Sequence, residues 1–215
     1  MRLFTCLLFL SAPYFLVAQW QNMNGPFAGG ALSYAGNASY IFAANINGVY
    51  RSADLGDTWD NTGKGLPKDN DYFDVQANGA DVLISGRKAD AFNIVAFLSR
   101  DNGDTWSEVP LPFYDAIFYY GVTLAGGKLF AADGNHVWER PLDAGAAWSL
   151  NALDADPNAF YNIVVQDGRL FAFGYKEVAV CPDLTGQTWT KMPVNGLTHV
   201  VTHIQAHGDT IFVED

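Results

Sequence analysis

Three histidines near the carboxyl end of the chain have the side chains and the regular spacing of metal ligands. His199, His203 and His207 recur every four residues. On a helix this spacing would place them on one face about 6 Å apart, which suits a metal ion. On a strand, four residues span about 13 Å, which is too far for one ion to bridge. The surrounding elements must decide between these two alternatives.

The acidic segment Asp101-Asn-Gly-Asp104 is a second candidate, because its carboxylates resemble calcium ligands. It lacks the twelve-residue loop and terminal glutamate of an EF-hand. The segment instead belongs to an octapeptide, Ser-x-Asp-x-Gly-x-Thr-Trp, that occurs at 52–59 and again at 99–106. In such a turn the aspartate accepts hydrogen bonds from the backbone, and the glycine takes a positive φ angle. We therefore assign these acids to turn formation and predict no metal site.

Two weaker copies of the octapeptide follow, and the fourth has Asp183 displaced by one inserted residue. The closing tryptophans recur at intervals of 47, 42 and 41 residues, a period typical of propeller blades. We predict a structural role for the residues that define the four copies. They are Ser52, Asp54, Gly56, Thr58, Trp59, Ser99, Asp101, Gly103, Thr105, Trp106, Asp143, Gly145, Trp148, Gly186, Thr188 and Trp189.

A short apolar strand recurs in phase with the octapeptides, at 40–42, 82–84, 128–130, 169–171 and 210–212. A strand precedes it, another follows it, and the octapeptide then turns the chain into an outer strand that begins at the tryptophan. Four strands per period form one blade. The sequence thus predicts an all-β fold, a β-propeller of four-stranded antiparallel blades, with four blades complete and a fifth partial. The segment 199–206 becomes an inner strand, which argues against the histidine metal site.

The chain divides into a predicted signal peptide, 1–18, and a propeller segment, 19–215. Residues 1–18 combine Arg2 with an apolar stretch too short to span a membrane, and no later segment is long and apolar enough. We therefore expect secretion, to the exterior or the periplasm. Removal of the signal peptide leaves Cys181 alone, so no internal disulfide is expected. The segment Trp20–Pro26 resembles an outer strand and is predicted to complete the last blade.

An incomplete fifth blade would expose sheet edges, so the sequence also predicts a fragment of a longer propeller or a chain that needs a partner. The formal net charge of −11 argues against nucleic acid as that partner. No cofactor is implied.

The octapeptide resembles the Asp-box, or bacterial neuraminidase repeat, and the resemblance covers most of the propeller segment. In that family the box joins the third and outer strands, usually on the face away from any active site. Its sialidases clamp a substrate carboxylate with three convergent arginines, and use a Tyr/Glu pair as nucleophile and an aspartic acid as acid. Arg51, Arg100 and Arg140 each lie beside a box and follow the repeat rather than a common centre.

Two functions remain open from the resemblance. One is a non-catalytic binding or scaffold module for carbohydrate or protein surfaces, as in propellers similar to photosystem assembly factors and sortilin-type receptors. The alternative is part of a sialidase-like or other glycoside hydrolase, including the xyloglucanase type with two opposed carboxylates. Asp74 is the candidate acid for that type, but no partner acid is recognisable.

A ligand surface is predicted on the edge opposite the octapeptides. Loops between second and third strands and loops leading into inner strands meet there, and they carry many of the lysines and tyrosines. The loop 86–93 is expected to be the first contact. The candidate ligand residues are Arg87, Lys88, Tyr119, His136, Tyr161, Tyr175 and Lys176, with Lys64, Lys68 and Tyr72 on the same edge.

Overall fold

A computed structural model describes residues 33–88, 93–113, 121–134, 136–143, 145–151, 153, 160–193 and 195–215. Within these residues the regular structure consists of strands, with no helix. The predicted all-β class is therefore confirmed. No helix that could cross a membrane is found among the described residues. The predicted signal peptide, the Trp20–Pro26 strand and Tyr119 lie outside the described residues.

The strands form four complete sheets and two strands of a fifth, and within each sheet neighbours in sequence are neighbours in space and run antiparallel. Sheet 1 contains β1 (Ser33–Gly36), β2 (Ile41–Asn45), β3 (Gly48–Ser52) and β4 (Asp60–Asn61). Sheet 2 contains β5 (Asn70–Asn78), β6 (Asp81–Lys88), β7 (Ile94–Ser99) and β8 (Ser107–Glu108). Sheet 3 contains β9 (Val122–Ala125), β10 (Lys128–Ala132), β11 (Val137–Pro141) and β12 (Ser149–Leu150). Sheet 4 contains β13 (Asn162–Gln166), β14 (Arg169–Phe173), β15 (Val178–Cys181) and β16 (Thr190–Lys191), and sheet 5 contains β17 (His203–His207) and β18 (Thr210–Glu214).

The sheets are joined through their first strands. The strands β1, β5, β9, β13 and β17 contact one another in chain order, and they form the inner edge of the assembly. The second, third and fourth strands of each sheet follow outward in sequence order. The four complete sheets are thus arranged as blades around an inner edge, and the fifth continues the series.

In the four complete sheets the second strand is buried on both faces, which explains why it is almost continuously apolar. On β10, Leu129 and Ala131 pack with sheet 2, whereas Phe130 and Ala132 pack with sheet 4. The alternation follows from the two-residue period of a strand. A hydrophobic core therefore lies between each pair of adjacent sheets, and the recurring apolar triplets supply it. Burial of a side chain such as Phe130, which is fully buried, contributes about 1.5 to 3 kcal/mol.

Sheet 5 is covered on one face among the described residues. Ile204 and Ala206 are buried against sheet 4, while His203, Gln205 and His207 are exposed on the other face. The histidines His203 and His207 thus lie on one strand, and His199 precedes it. Among the described residues no group of three or more histidine, cysteine or acidic side chains is arranged to hold a metal ion.

Three boundaries differ from the sequence-based expectation. The outer strands are only two residues long and begin after the tryptophan, because the octapeptide turn extends through it. The inner strand predicted at 199–206 begins at His203. The predicted loop 86–93 is shorter, because Gly86 to Lys88 pair with β5 as part of β6. Gly86 fits there because its missing side chain lets the Asp71 carbonyl approach closely; residues 89–92 lie outside the described residues.

Candidate functional site

The two complete octapeptides are closed by the same side-chain hydrogen bonds. In the first, the Ser52 hydroxyl donates to Asp54 Oδ1 at 2.7 Å and accepts from the backbone N–H of Gly56 at 2.8 Å. Asp54 also accepts from both the N–H and the hydroxyl of Thr58, at 2.8 and 2.6 Å. The second octapeptide repeats this pattern with Ser99, Asp101, Gly103 and Thr105 at nearly identical distances. These hydroxyls and carboxylates are therefore engaged in closing their own turns.

The same hydrogen bonds lower the pKa of both aspartates from 3.8 to about 2, with the Thr58 hydroxyl as the largest cause for Asp54 and the Thr105 hydroxyl for Asp101. A group whose pKa is lower in the folded state stabilises that state above its unfolded pKa, and this contribution is lost as the pH falls through the folded pKa. We expect the midpoint of urea unfolding to fall as the pH is lowered from about 4 to about 2. The double variant Asp54→Asn, Asp101→Asn should be less stable at pH 7 and should lose much of this dependence.

Asp143 provides a matched control for that measurement, because it holds the same octapeptide position without a side-chain hydrogen bond to another described residue. Asp143→Asn should leave both the stability at pH 7 and the acid dependence unchanged. A double variant whose midpoints follow the parent protein throughout this pH range would contradict the assigned role of the two aspartates.

The third and fourth octapeptides keep the turn and replace part of its side-chain network. In the fourth, Cys181 occupies the position of the serine, and its thiol donates to Asp183 at 3.4 Å. Asp183 accepts from the N–H and hydroxyl of Thr185, whose bonds lower the pKa of its carboxyl. The inserted residue has thus moved the threonine partner, and Thr188 does not take the role that Thr58 has. In the third, Gly145 retains a positive φ of 79°.

The tryptophans that close the later octapeptides pack against the preceding sheet. The Trp106 indole joins the core between sheets 1 and 2, and its Nε1 donates to the Thr62 carbonyl at 2.8 Å. Trp148 joins the core between sheets 2 and 3 and donates to the Pro110 carbonyl at 2.6 Å. Trp189 lies in the core between sheets 3 and 4. Trp59 donates within its own loop, to Gly56 at 3.1 Å.

One cationic side chain crosses each junction between successive sheets and donates to a backbone carbonyl of the next sheet. Arg51 donates to the Asn102 carbonyl at 2.7 Å and pairs with Asp104 at the same distance. Arg100 reaches the Leu142 carbonyl at 3.2 Å. The other two junctions are crossed by Lys128, to the Thr185 carbonyl at 3.2 Å, and Arg169, to the Gly208 carbonyl at 2.5 Å.

These cations lie on the octapeptide edge, which we define as the edge carrying the loops 52–59, 99–106, 141–148 and 181–189. Each one crosses a different junction, so Arg51, Arg100 and Arg169 do not converge on one point. Arg140 makes no such crossing, and its Nε is buried without a hydrogen-bond partner among the described residues. The structure therefore does not bring the arginines beside the octapeptides together as a clamp for a substrate carboxylate.

Asp74, the candidate acid, is held between the inner strands of the first sheets. Its Oδ1 accepts from the Ser33 hydroxyl at 3.0 Å, and its Oδ2 accepts from the Gln76 amide at 2.8 Å. Gln76 continues this bridge to sheet 3, where its Oε1 accepts from the Thr123 hydroxyl and the Leu124 N–H, both at 2.9 Å. The Asp74 carboxylate is thus a link between adjacent inner strands.

The described candidate ligand residues lie at the opposite edge, which carries the turns between second and third strands and the connections between sheets. Arg87 pairs with Asp71 at 3.2 Å, and Lys88 is exposed at the end of β6. His136 is tied to Asp133 through its backbone N–H at 2.7 Å. In sheet 4, Lys176 lies over the half-exposed ring of Tyr175 at 5.1 Å, and Tyr161 lies half-buried beside β13. The structure places these residues on one edge but distributes them over sheets 2, 3 and 4.

A cleft of about 180 Å³ opens on this opposite edge between sheets 1 and 2. Lys68 and Tyr72 were predicted on this edge, but the asparagines of the cleft were not. No sequence pattern signals them, since Asn47 lies in the turn between β2 and β3, Asn61 in β4 and Asn70 in β5, and only folding brings these elements together. The cleft is lined by Asn47, Gly48, Asn61, Gly63, Leu66, Pro67, Lys68, Asn70 and Tyr72.

Comparison with solved structures identifies the fold class of this chain. No protein-family model and no curated protein matches the chain. A streptogramin B lyase structure matches with a TM-score of 0.62 and 11% identity, over 86% of this chain and 61% of that one. The extracellular domain of a hybrid two-component system from B. thetaiotaomicron matches with a TM-score of 0.61 and 13% identity, over 90% of this chain and 27% of that one. Virginiamycin B lyase from Staphylococcus aureus matches with a TM-score of 0.59 and 12% identity, over 86% of this chain and 62% of that one.

These neighbours are β-propellers, and the four four-stranded antiparallel sheets with part of a fifth place this chain in the same fold class. The chain spans less than two thirds of the length of each of these structures. At such low sequence identities the likeness concerns the fold alone, because one fold carries many functions.

Proposed function

We propose that this chain is a secreted Asp-box propeller segment that acts as a non-catalytic binding module, with its contact surface on the opposite edge. The proposal depends mainly on how the polar residues of the octapeptide edge are used. Asp54 and Asp101 close their own turns, and Arg51, Arg100 and Arg169 bind carbonyls of the next sheet. Few charged groups on that edge therefore remain for a ligand.

The opposite edge has the complementary character. Lys64, Lys68 and Lys88 form no ion pair with another described residue, and Tyr175 is about half exposed. Amphipathic aromatic rings and long cationic side chains suit contact with carbohydrate or protein surfaces. Secretion is proposed from the character of residues 1–18, and the extracellular domain among the structural neighbours is compatible with it.

A binding function without turnover can be tested with a glycan array and a screen of fluorogenic glycosides on the same purified protein. We expect binding on the array and no release of the fluorophore. The triple variant Arg87→Gln, Lys88→Gln, Lys176→Gln should weaken binding by about tenfold or more, because it removes three cations from the proposed surface.

Leu55→Asn is the matched control, because Leu55 is 82% exposed on the octapeptide edge with a φ of 56° that asparagine tolerates. It should bind as the parent protein does. Hydrolysis of any glycoside by the parent protein would refute the non-catalytic role. If the triple variant still binds and Leu55→Asn does not, the contact surface lies on the octapeptide edge and the proposed placement is wrong.

A further inference from the structure

The cleft between sheets 1 and 2 has walls held in place by the protein's own hydrogen bonds. The Tyr72 hydroxyl donates to the Pro67 carbonyl at 2.8 Å, and the N–H of Leu66 donates to the Gly63 carbonyl at 3.0 Å. Leu66 and Tyr72 are both buried in the core between the two sheets. Burial also raises the pKa of the Tyr72 phenol above its ordinary value of 10. The connection that forms one wall is therefore ordered before any ligand arrives.

The outer strand of sheet 1 presents an amide group to the cleft. Asn61 accepts from the Gly63 N–H through Oδ1 at 3.0 Å, which fixes the orientation of its side chain. Its Nδ2 faces Gly48, where an added Cβ would lie 3.4 Å away. Asn61 lines the cleft, and this NH₂ group has no hydrogen-bond partner among the described residues. Amide NH₂ groups in such a position suit the hydroxyls of a polyol.

Three lysines lie in or beside the cleft, although the whole chain has a net charge of −11. Lys68 lines the cleft, Lys64 lies in the same connection, and Lys88 is directly opposite Asn70 in the β5–β6 register. Three acids are close in sequence: Asp60 precedes Asn61, Asp69 follows Lys68, and Asp71 pairs with Arg87 at 3.2 Å. The lysines of this region are thus the cations that remain for an anionic ligand.

We propose that this cleft binds a carboxylate-bearing saccharide, with the Asn61 amide on its hydroxyls and Lys68 on its carboxylate. The inference rests on the proposed binding function and specifies its ligand class. The volume of about 180 Å³ is below the range of about 300 to 1,000 Å³ that encloses drug-sized ligands. The cleft therefore accepts one sugar ring, and the remainder of an oligosaccharide extends along the opposite edge.

Titration calorimetry with trigalacturonate and with its trimethyl ester tests this proposal, because the two ligands differ in charge but not in ring structure. We expect the parent protein to bind the acid at least about tenfold more tightly than the ester, since a hydrogen bond between two charged groups is stronger than one between neutral groups. Lys68→Met should reduce affinity for the acid to about that of the ester. Asn61→Ala should lower the affinity for both ligands by a similar factor.

Lys191→Met is the control, because Lys191 lies on the outer strand of sheet 4, pairs with Glu177 at 3.2 Å and is away from the cleft between sheets 1 and 2. It should not change either affinity. Equal affinity for acid and ester, or a Lys68→Met variant that binds the acid like the parent protein, would overturn the inference. A glycan array that is positive while neither uronate ligand binds would also overturn it, and would leave the proposed binding function standing. The absence of any array binding would overturn both.

Discussion

Trp106→Ala should lower the free energy of unfolding by about 3 kcal/mol, the lower end of the range found when large buried aromatic side chains are truncated, because the indole is partly buried. The Trp106 indole belongs to one octapeptide but packs in the core between sheets 1 and 2, and its Nε1 donates to the Thr62 carbonyl. Truncation would open a cavity at the junction of two sheets and leave that carbonyl without its partner. Equilibrium unfolding in urea, followed by tryptophan fluorescence and circular dichroism, measures the change.

Trp106→Phe separates the packing of the ring from its hydrogen bond. Phenylalanine keeps an aromatic ring in the junction but removes the donor to Thr62, so we expect a loss of about 1 to 2 kcal/mol. A Trp106→Ala variant with the same unfolding midpoint as the parent protein would refute the assignment of this residue to the junction.

Gly186→Ala should cost about 2 to 4 kcal/mol, because two penalties act at the same position. Gly186 has a φ of 70°, a conformation that side chains disfavour. A Cβ there would lie 2.8 Å from Cζ of Phe130 and closer still to its Cε1. Phe130 is fully buried between sheets 3 and 4, so the ring has no free space into which it can move.

Gly145→Ala is the matched control, since Gly145 holds the same octapeptide position with a φ of 79°, and a Cβ added there would meet no described atom within 4 Å. It should show the backbone penalty alone, about 1 to 2 kcal/mol. The difference between the two alanine variants, measured by urea unfolding, isolates the contact with Phe130. Equal losses for both variants would mean that the glycine is required only for its backbone angle.

The octapeptide turns are predictable from local sequence. Asp54 bonds only to residues within a few positions along the chain, so its turn could be predicted from the order of residue types. The side-chain network of the fourth copy is less predictable, because its insertion moves the partner of Asp183 to Thr185. The loop that begins at Gly86 is shorter than the sequence predicts, because the close approach of β5 extends β6 as far as Lys88.

The candidate site was less predictable than the fold, because its residues meet only across sheets. The sequence placed Asp74 on an inner strand, but its partner Ser33 lies 41 residues away in sheet 1. The arginines beside the octapeptides were expected to follow the repeat, and their carbonyl partners in the next sheet became visible only in the structure. Such partners cannot be read from spacing, since they depend on how one sheet packs on the next.

The sequence by itself determined the repeat, the strand order within each blade and the all-β class, because these follow from turn residues and from apolar periodicity within about 45 residues. Only the tertiary structure decided which polar groups are engaged and which remain available. Asn47 lies in sheet 1 and Asn70 in sheet 2, and their common cleft exists because sheet 1 packs on sheet 2. Contacts of this kind depend on the packing of whole sheets, which local residue patterns do not encode.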